Sequence, residues 1–78
     1  MAKAILEFNL PEDMEQFMLA AKGRDIMMTL YELDQHLRSE TKYAPDTMSQ
    51  EVHDALVQVR ATLHELMDSN NVSFDLIS

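Results

Sequence analysis

The sequence predicts a small, mainly α protein of the α+β class, ordered β-α-α-α-β, and three observations predict it. Val52, Leu56, Val59, Leu63 and Leu66 step by four, three, four and three residues, a helical seam with a period near 3.5. Ile26, Leu30, Leu33 and Leu37 repeat that spacing one segment earlier. Both ends of the chain instead alternate apolar and polar residues.

The elements follow in order. Residues 3–10 place Leu6, Phe8 and Leu10 on one side and Glu7 and Asn9 on the other, which predicts a short strand. Pro11-Glu12-Asp13 then opens a first helix, since proline suits its first position and acids favour the positive end of its dipole. Met14, Phe17, Met18 and Ala21 form its stripe, and Gly23, the only glycine, reads as a left-handed C-terminal cap. A second helix is expected from Asp25, its N-cap, to about Lys42, with Met27 and Tyr31 widening the stripe. Tyr43-Ala44-Pro45-Asp46 breaks the chain. Thr47 with Gln50 resembles a capping box for a third helix that runs to about Ser69. Asn70-Asn71 makes the terminating turn, and Val72, Phe74 and Leu76 alternate with Ser73 and Asp75 as a final strand. The rival arrangement is an all-α bundle with extended tails.

Seventy-eight residues make one domain, residues 1–78, with little interior of its own. There are no cysteines, so neither disulfides nor cysteine-bound zinc can staple it. Self-association through Val52, Leu56, Val59, Leu63 and Leu66 is therefore expected, with a dimer favoured. No secretory signal or membrane-spanning run is read, which leads to an expected life in the cytoplasm. The net charge of −8 repels phosphate backbones, so direct nucleic-acid binding is not expected; the same acidity could instead mimic nucleic acid toward a basic partner.

The residues point away from an enzyme. No serine sits in a strand-to-helix elbow, and one glycine cannot build a phosphate-cradling loop. His53 and His64 share a helix face but stand roughly 16 Å apart along it, too far to hold one ion. His64 with Asp68 is better read as a surface pair, so no metal and no cofactor are expected. Seven methionines are many for this length; Met14, Met18, Met27 and Met28 read as filling gaps in the core, with Met28 the candidate for a solvent-facing or interface position. The most specific grouping is Tyr31, Asp34, Gln35, Arg38, Lys42 and Tyr43, a basic-aromatic patch on an acidic chain. Arginine there can grip a carboxylate in a fork and tyrosine can stack, which suits a protein partner.

The stretch Ala4-Ile5-Leu6-Glu7-Phe8-Asn9-Leu10-Pro11-Glu12-Asp13, followed by Tyr31-Glu32-Leu33-Asp34-Gln35-His36-Leu37-Arg38 and Lys42-Tyr43, resembles a family of small uncharacterised bacteriophage proteins. The likeness covers roughly the first 45 residues, and His36 departs from it where a bulky aromatic is expected. It implies a phage origin and work in the host cytoplasm, and it carries no activity. The expected function is an accessory role by protein–protein binding to a host or phage protein. The alternatives are an oligomeric sponge for an anionic nucleotide-like ligand held by Arg38 and Lys42, an acidic nucleic-acid mimic, or a minor structural component.

Overall fold

Regular structure begins where Asn9 and Asp13 close a turn on each other. The Asp13 amide donates to the Asn9 carbonyl at 2.7 Å, and the Asn9 amide donates to the Asp13 carboxylate at 3.0 Å. A computed structural model describes residues 2–77 of the chain. After this turn come α1, Met14–Ala21, α2, Gly23–Lys42, α3, Gln50–Ser69, and a 3-10 turn, Phe74–Ile77. The chain is therefore mainly α, and no strand occurs among the described residues.

Both expected strands are corrected, each for a local reason. Residues 3–10 find no partner strand; Phe8 packs edge-to-face on Phe17 of α1, with ring centroids 5.8 Å apart. At the other end Asn71 adopts a left-handed φ of 57°. The Val72 amide then donates to the Met67 carbonyl at 2.9 Å and the Asn71 amide to Asp68 at 3.1 Å, the paired bonds of a Schellman motif. The expected Asn70-Asn71 turn is thus present, but it folds the tail back instead of launching a strand. Ser73 starts the 3-10 turn, accepting from the Asp75 amide at Oγ and from the Leu76 amide at its carbonyl, both at 3.1 Å. Phe74 then packs against Tyr31 of α2 and His64 of α3. Docking an aromatic ring onto two helices outweighs the weak period-two signal of five residues.

Three cap assignments also change. Gly23 has no positive φ and lies in the first turn of α2, so it is not a left-handed cap. The bend falls one residue earlier, at Lys22, whose amide donates to Met18 and whose carbonyl accepts from Ile26, both at 2.9 Å. Asp25 is consequently a first-turn acid and not the N-cap. Ser49, not Thr47, caps α3, accepting from the Val52 amide at 3.2 Å. Thr47 is taken up by the preceding turn, closed by the Met48 amide donating to Pro45.

α2 and α3 form an antiparallel hairpin. His53 near the start of α3 meets Thr41 near the end of α2, and Arg60 and His64 meet Asp34 further along. Because a carbonyl only accepts, His53 donates from Nε2 to the Thr41 oxygen, at 3.2 Å. The buried interior is small: among the described residues Leu37 and Met67 are its apolar members and Asp34 its polar one. The molecule is elongated, 54 × 31 × 20 Å, with a radius of gyration of 17.6 Å. A compact chain of this length would have about 11–12 Å.

Candidate functional site: a carboxylate shared by Arg60 and His64

α2 turns Asp34 toward α3 because it lies on the same face as Leu30, Leu37 and Thr41, at intervals of four, three and seven residues. It is only 2% exposed, the most buried side chain among the described residues. On α3, Arg60 and His64 are four residues apart and therefore on one face. Arg60 donates from Nε to Asp34 Oδ1 at 2.8 Å and from Nη2 to Oδ2 at 3.3 Å. This is the two-pronged geometry that suits guanidinium and carboxylate. His64 Nε2 donates to Oδ1 at 2.6 Å, and Gln35 Nε2 donates to Oδ2 at 3.1 Å. A carboxylate only accepts, so His64 carries its proton on Nε2.

The electrostatics match this geometry. The Arg60 hydrogen bond holds the Asp34 carboxyl down at about 2, with His64 adding to the effect and burial opposing it. Asp34 in turn raises the Arg60 guanidinium above its ordinary value. Each charge is thus fixed by an opposite one, and the cluster ties α2 to α3. Beside it lies an open cavity of about 290 Å³ bounded by Thr41, Val57, Arg60, Ala61 and His64. Among the described residues no group of three histidine, cysteine or carboxylate side chains could hold a metal ion.

The structure separates the predicted partner-binding residues. Asp34 is drawn inside, beneath Arg60 and His64, and presents nothing to a partner. Tyr31 is tied edge-to-face to Phe74 at 5.3 Å. Gln35 is half-buried over Asp34, while Arg38, Lys42 and Tyr43 stay exposed. Lys42 Nζ sits 5.4 Å from the centre of the Tyr43 ring. Met28 is half-buried beside Tyr31, Phe74 and Ile77.

The predicted seam of α3 also splits. Leu56 and Leu63 are half-buried, whereas Val52, Val59 and Leu66 are exposed. The face that α3 gives to α2 is His53, Leu56, Arg60, Leu63 and Met67, spaced three, four, three and four. Residue chemistry alone did not single out Arg60. In sequence Asp68 is the acid at helical spacing from His64, but the structure gives His64 a different partner, Asp34, thirty residues away. The available signal was an acid lodged in the apolar stripe of α2, opposite a basic residue lodged at seam spacing in α3.

Comparison with protein-family models, with curated proteins and with solved structures finds no match. Among the described residues no helix is long and apolar enough to cross a membrane.

Proposed function

We propose that this chain is a small accessory protein that acts by binding another protein and modulating it. The observation that carries this reading is the surface at the end of α2, where exposed Arg38, Lys42 and Tyr43 gather on a chain of net charge −8. Lys42 in the last turn of α2 is favourable there in itself, and Arg38 lies one turn before it. Together with a tyrosine already paired to Lys42, they also make a basic-aromatic contact for an acidic segment of a partner. The Asp34 cluster supplies the rigidity behind that surface, because it locks α2 onto α3. The sequence resemblance extends the proposal to a phage protein working in the host cytoplasm on a host or phage target.

Affinity capture with the immobilised chain tests the reading, run beside a variant carrying Arg38→Glu, Lys42→Glu and Tyr43→Ala. The expected result is a protein retained by the natural chain and released by the variant. The reading fails if nothing distinguishes the two columns while a small anion such as a cyclic dinucleotide raises the melting temperature of the natural chain alone. That outcome would favour the anion sponge.

A further inference from the structure

On the side of the hairpin away from Arg38 and Lys42, five apolar residues stand in two rows. Ile26 and Leu33 on α2 are seven residues apart, as are Val52, Val59 and Leu66 on α3, so each row keeps one face of its helix. All five are between 44% and 57% exposed. Leu33, Val59, Leu63 and Leu66 already border one groove between the two helices, so the rows merge into one surface.

We infer that this surface is the interface with a second copy of the chain, seated about a two-fold axis to complete a four-helix bundle. Area supports the choice of occupant. The chain exposes 6664 Å², whereas a compact protein of its mass exposes about 4,900 Å². The excess, about 1,800 Å², falls within the roughly 1,000–2,500 Å² that each partner of an obligate homodimer buries. Exposed Ile5 and Leu6 in the N-terminal segment contribute to it, and the hairpin face is its contiguous part. Charge agrees as well. Two chains of −8 meet most favourably through a surface free of acids, and the groove is bordered by Leu33, Gln58, Val59, Thr62, Leu63 and Leu66, none of them ionisable.

The row has a natural centre at Val59, seven residues from both Val52 and Leu66. With the two-fold axis perpendicular to α3 at that residue, the α3 helices run antiparallel, Val59 lies opposite Val59, and Val52 of one copy lies opposite Leu66 of the other. The geometry is that of antiparallel bundle helices. This interface lies on the other side of the hairpin from the partner surface proposed above, and the purified chain alone tests it.

The chain has no cysteine, so single introduced thiols report proximity without background. Sedimentation equilibrium of the natural chain is expected to give twice the 9.0 kDa chain mass, and Val59→Lys is expected to lose the dimer. Loss of the dimer in Val59→Lys can also come from unfolding, so oxidative cross-linking supplies the second test. Val59→Cys is expected to form a covalent dimer and Asp68→Cys, on another face of α3, is not. A mixture of Val52→Cys and Leu66→Cys is expected to yield the mixed dimer over either homodimer. A natural chain at the single-chain mass would overturn the inference and assign the face to a different protein. Equal cross-linking at residues 59 and 68 would overturn it too. A larger assembly would support the interface only if Val59→Cys still linked to its own counterpart.

Discussion

Arg60 and Asp34, twenty-six residues apart in sequence, are joined by two parallel hydrogen bonds of 2.8 and 3.3 Å. With so few apolar side chains buried, this pair and the His64 bond beside it decide how α2 and α3 face each other. Asp34 has no water to fall back on, whereas Arg60 and His64 remain partly exposed.

Asp34→Asn preserves shape and removes the charge to which Arg60 and His64 both donate. A fully buried pair broken in this way costs about 3–5 kcal/mol. With the partners partly solvated, about 1–3 kcal/mol is expected. Urea midpoints of the two proteins at neutral pH measure it, and equal midpoints would contradict the central role given to the carboxylate.

The same pair predicts acid sensitivity. Asp34 titrates at about 2 when folded against 3.8 as an ordinary aspartate, because Arg60 and His64 favour its ionised form. Its contribution, about 2 kcal/mol before salt screening, is fully present above pH ~4 and is lost as pH falls from ~4 to ~2. The natural chain should therefore lose stability more steeply than Asp34→Asn across that window. Parallel curves would refute the coupling.

Capping offers a comparison between neighbours. Ser49 accepts from the Val52 amide, so Ser49→Ala should cost about 1 kcal/mol. Thr47 caps nothing, and Thr47→Ala should change stability by less than about 0.5 kcal/mol. Thermal melts of the two variants that came out in the reverse order would return the cap to Thr47.

Gly23 lies in helical backbone with open space where a Cβ would sit. Gly23→Ala should therefore stabilise the chain by about 0.5–1 kcal/mol. A loss of stability would mean that the residue does adopt the left-handed cap that its position in the sequence implied.

Much of the architecture could be read from residue order. Helical spacing at Ile26, Leu30, Leu33 and Leu37, and again from Val52 to Leu66, identified the two long helices to within a few residues. Asn70-Asn71 marked the turn after α3. Five-residue alternation at the ends was too weak a signal, since it contains no information on whether a partner strand exists. The caps at Ser49 and Lys22 differed from expectation because adjacent residues compete for one role and only backbone angles separate them.

Sequence alone therefore settled the helical period, the acidity and the scarcity of interior, since these depend only on which side chains are present and how they are spaced. Tertiary structure decided which way α3 is rotated. Leu56 and Leu63 belong equally to the seam with Val52, Val59 and Leu66 and to the face with His53, Arg60 and Met67, and one residue turns a helix by about 100°. The choice fell to a charge pair between residues far apart in the chain. Burying Asp34 is tolerable only when Arg60 and His64 face it, and that turns Val59 and its row outward.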